Sequence, residues 1–245
     1  MISNCGHDER GKYTGGQPGD QTGGEWSIIP WYNRPWNVVL RYPNPLAAQE
    51  IADVAKAAAQ NNQVGYCQGH RGTFWEKLAA AGYRPENIKT PCEADCSSGV
   101  AACAKAAGYR LGIEALQRVS AAAYTGNLRA ILTAAGFEAL YAKKYRVSAD
   151  YLLPGDVLLY EGHHVATNLD TGKYAGTYSR VGWQKDANGW WYAYGWQQGQ
   201  YHINNAVRID GKLYFFDTNG YCVNPTAVET DEDGAMRYIR GQKIH

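Results

Sequence analysis

Residues 92–99 read CEADCSSG, and two cysteines this close admit three chemistries. A zinc site needs three or four ligands, with a second pair to match the first. The paired histidines downstream, His163 and His164, are adjacent, and neighbours on a strand point to opposite faces. A disulfide needs an oxidising compartment. The six cysteines, at 5, 67, 92, 96, 103 and 222, are irregularly spaced in a chain with no secretory signal, which favours reduced thiols. A nucleophile needs a helix N-terminus to lower its pKa, a histidine to take its proton, and backbone donors for the oxyanion. Cys96 meets the first condition, because Asp95 is a capping residue and a helical pattern follows. Ser97, Ser98 and Gly99 are small enough for close approach of a substrate. The histidine comes from GHHVATNL. On a strand His164 shares a face with Ala166 and Asn168, whereas His163 shares one with Val165 and Leu169 and should point to a covered side. Cys92 and Cys103 read as buried small residues. No metal and no cofactor is expected.

These groups must be positioned by helices and a sheet. PLAAQEIADVAKAAAQNN, 45–62, is a helix opened by proline, with Leu46, Ile51, Val54, Ala55 and Ala58 near one face. TFWEKLAAA, 73–81, is a second. A third starts at Asp95–Ser98 and runs to Gly108, and a fourth spans 127–136 with Asn127 as its cap. LLPGDVLLYEG and HHVATNLDTG then read as short strands split by glycine turns. Helices followed by strands point to α+β with an antiparallel sheet. Residues 1–26 form a Gly-rich arm that crosses the surface, in which Asp20 and Glu25 offer cation ligands and Gln21 an oxyanion donor. The stretch 26–45 suits short extended pieces. A boundary near 180 separates 1–180 from 181–245. There, aligning Gly189 with Gly211 brings Tyr192 onto Tyr214, so each unit reads as a β-hairpin with an Asn-Gly or Asp-Gly turn.

Composition narrows the partners. A net charge of +1 gives no basic excess for nucleic acid. No run reaches the roughly 18 apolar residues of a membrane span. The chain holds 19 Tyr and 8 Trp against 4 Phe, and rings with a polar handle favour wet binding surfaces over deep cores.

ADCSSGVAA followed by LLPGDVLLYEGHHVATNL resembles the NlpC-type papain-like cysteine peptidases of the cell wall, which are related to the CHAP amidases and to phage endolysins. The resemblance covers roughly residues 60–180. It implies a papain-like domain, Cys96 as nucleophile and His164 as base. It further implies Asp95 and Tyr66 as holders of the amino end of a peptidoglycan stem peptide. The family's third polar residue belongs on the strand after His164, where YAGTYS offers none of the usual type. An atypical side chain, a backbone carbonyl or a group from the N-terminal arm would have to serve. Asn168 lies on the same strand, too far along for a direct bond. The tail resembles choline-binding-type wall-binding repeats, which implies Trp183, Trp190, Trp191, Tyr192 and Tyr214 as ring positions for a wall polymer or choline-like ligand. The expected activity is amide hydrolysis in peptidoglycan, by a protein that acts on the wall after release from the cytoplasm. An N-acetylmuramoyl-L-alanine amidase on the same fold, or a non-catalytic wall-binding protein, is the alternative.

Overall fold

The computed structural model describes residues 1–175, 181–185, 188–195, 200–210 and 212–223, and the backbone of 228–230, 236–238 and 242–244. Contacts divide the chain into two units, Met1–Ala175 and Gly176–His245.

The first unit is α+β. Its elements are β1 (Ile2–Cys5), β2 (Trp26–Ile29), β3 (Val38–Arg41), α1 (Pro45–Ala59), β4 (Val64–Tyr66), α2 (Thr73–Ala80), β5 (Cys92–Ala94), α3 (Cys96–Leu111), α4 (Glu114–Gln117), α5 (Leu128–Ala134), β6 (Glu138–Leu140), α6 (Lys143–Arg146), β7 (Val157–Tyr160) and β8 (His164–Asn168). Six strands make one sheet in the order β2-β1-β8-β7-β3-β6, antiparallel at every pairing. β4 and β5 form a separate parallel pair.

The strands VVLR and VLLY read as unbroken apolar runs because the sheet is covered on both faces. Val38, Leu40, Val157, Leu159 and Val165 pack with Ile51 of α1 and Ala101 and Ala104 of α3. Ile2, Val39, Leu158 and Ala166 face the other way, against Trp36 and Leu152. The period of two along each strand therefore sorts residues between two cores.

Four expectations are corrected here. The N-terminal segment is not a surface arm, since it supplies β1, which lies between β2 and β8 inside the sheet. The order is thus strands, helices, strands. In α1 the buried face is Ala47, Ala48, Ile51, Ala52, Val54, Ala55 and Ala58, while Leu46 is exposed. Asn44 caps this helix by accepting from the N–H groups of Leu46 and Ala47. Helix α3 does not stop at Gly108 but continues to a left-handed cap at Gly112. Gly108 sits inside it because a Cβ there would lie 2.6 Å from Leu116. Asn127 makes no side-chain cap to α5; its Oδ1 accepts from Tyr124 N–H instead.

The turn PGD before β7 has a physical cause. Gly155 has φ +81°, and a Cβ there would lie 2.1 Å from Ala48 O. Next to it, Asp156 is buried and accepts two bonds from Arg41, at 2.8 Å from Nε and 2.6 Å from Nη2, plus the N–H of Leu153. Burial still raises the Asp156 pKa above its ordinary value despite the guanidinium. The pair therefore offsets a desolvation cost more than it adds stability.

In the second unit β9 (Gly182–Lys185) pairs with β10 (Trp190–Ala193), and β11 (Asn205–Ile209) with β12 (Lys212–Phe216), both antiparallel. β13 (Cys222–Val223) extends the latter pair. Strands β14 (Val228–Thr230), β15 (Met236–Tyr238) and β16 (Gln242–Ile244) form a third sheet. Asp210 takes φ 49° at the tight β11–β12 turn, a geometry Asp tolerates in a hairpin. Among the described residues no helix is long and apolar enough to cross a membrane.

Replacing Arg41 by Met removes the bonds to a carboxylate that stays buried. The expected loss is about 3 kcal/mol of unfolding free energy, read by urea denaturation; a loss below about 1 kcal/mol would show that Asp156 simply protonates at no cost.

Candidate active site

Helix α3 begins where β5 ends, and its first turn is built by side chains. Asp95 Oδ1 accepts the Ser98 N–H at 2.7 Å and the Ser97 hydroxyl at 2.9 Å. Ser98 Oγ in return accepts the Asp95 N–H at 2.9 Å. This reciprocal box satisfies orphan donors of the first turn. Asp95 Oδ2 takes a bond from Arg71 Nη1 at 2.5 Å, and Arg71 Nη2 also bonds the carbonyls of Ala122 and Ala123. Both oxygens of Asp95 are thus engaged within the chain. Gly99 lets Trp26 close on the helix, since a Cβ there would lie 2.8 Å from its ring.

Cys96 is the first residue of α3 and is 7% exposed. The backbone N–H groups of Val165, on β8, of Ser97 and of Cys96 itself lie close enough to favour its anion electrostatically. All three favour the thiolate, yet the thiol pKa is raised to about 11, by burial first and by the Asp95 carboxylate second. The helix terminus that should lower it is overruled: a thiol with little access to water, beside a fixed negative charge, keeps its proton.

His164 begins β8, one residue before Val165, and is 7% exposed. Its Nε2 lies 2.8 Å from Asn4 Oδ1. An amide oxygen only accepts, so Nε2 carries the hydrogen and Nδ1 is left as the basic nitrogen. Asn4 Oδ1 also accepts from Tyr32 O–H at 3.4 Å, and Tyr32 in turn accepts from Arg34 Nη1 at 3.2 Å. The Trp36 ring packs 6.2 Å from the imidazole. Burial, then the charge of Arg34, lowers the His164 pKa to about 4. At neutral pH the site therefore holds a neutral thiol and a neutral imidazole.

Asn4 is the residue that sequence reasoning did not reach. It comes from β1, which pairs with β8 through Ile2↔Asn168 and Ser3↔Thr167. Two bonds of Ser3 fix that strand, one donated to Ala55 O at 2.9 Å and one accepted from Trp26 Nε1 at 2.7 Å. Asn168 serves elsewhere, donating to the carbonyls of Leu153 and Asp170.

Other assignments shift. His163 precedes β8 and is exposed, stacked on Tyr160 at 4.2 Å, so it does not point to a covered side. Tyr66 is 2% exposed, its hydroxyl accepting from Gln68 Nε2. Burial, with Cys96 nearby, raises its pKa. The carboxylates of the N-terminal segment are spent on backbone. Asp20 accepts the N–H groups of Thr22, Gly23, Gly24, Glu25 and Trp26. Glu25 accepts those of Gln21 and Tyr66. Gln21 donates its amide to Pro18 and Gly19 carbonyls, not towards Cys96.

In the second unit the rings sort by strand face. Trp183, opposite Tyr192 in the β9–β10 pair, meets Trp190 at 6.4 Å, Tyr192 at 5.3 Å and Tyr214 at 4.8 Å. Trp191 faces the other way, onto Tyr201 at 5.9 Å. Trp183, Trp190, Tyr214 and Cys222 line a groove of about 420 Å³.

The first unit is thus an α+β domain with a thiol at a helix start, an imidazole on an adjoining strand and an amide behind the imidazole. Residues 2–175 match the endolysin-like domain family, and the chain belongs to it. That membership assigns a cell-wall hydrolase role with peptidoglycan as the substrate. No curated protein matches the chain.

The buried imidazole links stability to pH. Its folded pKa of about 4 lies below the ordinary 6.5, so the unfolded chain binds more protons between those values. Stability should therefore fall as pH drops from 6.5 towards 4, by up to about 3 kcal/mol. Urea unfolding across that range should show this slope, and His164→Gln should remove that part of it.

Proposed function

We propose that the Met1–Ala175 unit hydrolyses an amide bond of the peptidoglycan stem peptide through Cys96, His164 and Asn4. The observation that carries this reading is the 2.8 Å contact between His164 Nε2 and Asn4 Oδ1. It fixes the tautomer whose Nδ1 can accept a proton, on a strand whose next residue, Val165, packs in the same core as Cys96.

With both groups neutral, the thiol is activated as it reacts. Cys96 Sγ attacks the carbonyl carbon while its proton passes to His164 Nδ1. The developing oxyanion is met by the Cys96 N–H, one of the orphan donors of the α3 first turn. The imidazolium, held in plane by Asn4, then protonates the leaving amine as the C–N bond breaks. Water adds to the thioester, giving its proton to His164, and the acid departs as Cys96 regains its hydrogen. Asp95 acts through the helix start, where Arg71 grips it. An endopeptidase within the stem and an amidase at the sugar–peptide link would use the same steps. Mass analysis of digested muropeptides separates them.

We assign the groove of Trp183, Trp190 and Tyr214 to a wall polymer. Sugars stack on such rings, and a quaternary ammonium head is drawn to their faces. The Lys185 ammonium lies 5.4 Å from the Trp190 ring centre, a contact of the kind that a quaternary ammonium head would make.

Cys96→Ala should abolish release of muropeptides with an unchanged circular dichroism spectrum; full activity in that variant would falsify the mechanism. Asn4→Ala should lower kcat at least tenfold, and His164→Ala by about 10²–10⁴. The acid limb of kcat/KM should fall near pH 4, where His164 protonates and can no longer accept. Trp183→Ala should weaken co-sedimentation with purified walls roughly tenfold and leave cleavage of soluble muropeptides unchanged.

A further inference from the structure

A second cluster of chemically active side chains lies beside β4 and β5, on residues that the reaction above does not use. Cys67 follows β4, His70 lies three residues on, and Glu93 is in β5. One ligand atom from each lies within 4.8 Å of the others. The Cys67 sulfur is 3.7 Å from His70 Nδ1, and the same nitrogen is 3.1 Å from Glu93 Oε2. We propose that Cys67, His70 and Glu93 bind a zinc-type divalent cation, with the fourth position open to solvent.

Glu93 is the group that calls for an ion. It is 2% exposed, yet its Oε1 meets no donor in hydrogen-bonding geometry. The bond to His70 satisfies only the other oxygen. A buried carboxylate with an orphan oxygen is costly unless a cation or donor meets it.

The geometry suits a tetrahedral ion. Zn–S of about 2.3 Å and Zn–N and Zn–O of about 2.0–2.2 Å set the S···N edge near 3.6 Å and the N···O edge near 3.4 Å. The observed 3.7 and 3.1 Å need shifts of a few tenths of an ångström. The donor set of thiolate, imidazole and carboxylate fits zinc better than calcium or magnesium, which take oxygen alone. Cys67 and Glu93 are buried while the His70 side chain is 69% exposed, so an ion enters from the histidine side and keeps one face to water.

The backbone around the cluster is fixed in advance. Cys67 N–H bonds Ala94 O at 2.9 Å, and Gln68 N–H bonds Tyr13 O at 2.9 Å. Thr73 Oγ1 donates to His70 O and accepts the Glu93 N–H, both at 2.9 Å. One hydroxyl therefore ties two ligand segments together.

The test uses the full chain after treatment with a chelator, titrated with Co²⁺ as a spectroscopic stand-in for Zn²⁺. One equivalent should bind and give a thiolate-to-metal absorption band that Zn²⁺ bleaches. Cys67→Ser should abolish the band, and Cys96→Ser should keep it. His70→Ala, at an exposed position, and Glu93→Gln should each weaken binding at least tenfold. Zn²⁺ at a hundredfold excess over its Kd should raise Tm by roughly 5–10 °C. No uptake at up to 100-fold molar excess, a band that survives Cys67→Ser, or unchanged affinity in His70→Ala would each overturn the proposal. None of these readouts depends on hydrolysis, so the outcome is independent of the role of Cys96.

Discussion

The bond from His164 Nε2 to Asn4 Oδ1 joins residues 160 positions apart in sequence, and the candidate site depends on it. It requires β1 to lie beside β8, which requires the first residues of the chain to be inside the sheet. Ser3 secures that placement by bonding α1 on one side and Trp26 on the other. Trp26 in turn rests on Gly99 of α3, close behind the thiol. The imidazole and the amide are thus held together by the pairing of β1 with β8, and α3, which starts at the thiol, packs against the same sheet.

Burial decides the electrostatics of that assembly. The helix terminus and three backbone N–H groups favour a thiolate, yet exclusion of water and the capping carboxylate leave the sulfur protonated at neutral pH. The same exclusion, with Arg34, leaves the imidazole neutral. Asp95 is thereby double-edged. The cap that starts α3 and orients Cys96 also raises the cost of ionising it.

Much of this was legible in the sequence because it is local. Pro45 with an alanine-rich stretch defines α1, Asp95 with Ser98 marks the start of α3, and the glycine turns around VLLY and HVATN delimit β7 and β8. Misreadings arose where a residue answers to something distant. Gly108 reads as a helix stop, but it is there to admit Leu116. Asn4 sits in ISNC, four residues with no alternation to mark a core strand, and its partner is far along the chain. Glu93 lies between two cysteines that draw attention to themselves, while the sulfur and nitrogen near it belong to YCQGH, a short Cys-x-x-His spacing in a separate segment. In the tail, ring positions were readable, but their division between Trp190 and Tyr192 on one face and Trp191 on the other follows from strand register.

The insertion of β1 between β2 and β8 also governs when the domain can assemble. Ile2 pairs with Asn168, so the middle of the sheet closes only after nearly the whole unit has emerged from the ribosome. Such long-range pairing makes folding slow relative to helices such as α1, which form from neighbours alone. Until that closure, the imidazole has no amide behind it. The partly synthesised chain therefore lacks the His164–Asn4 bond, which joins its two ends only late in folding.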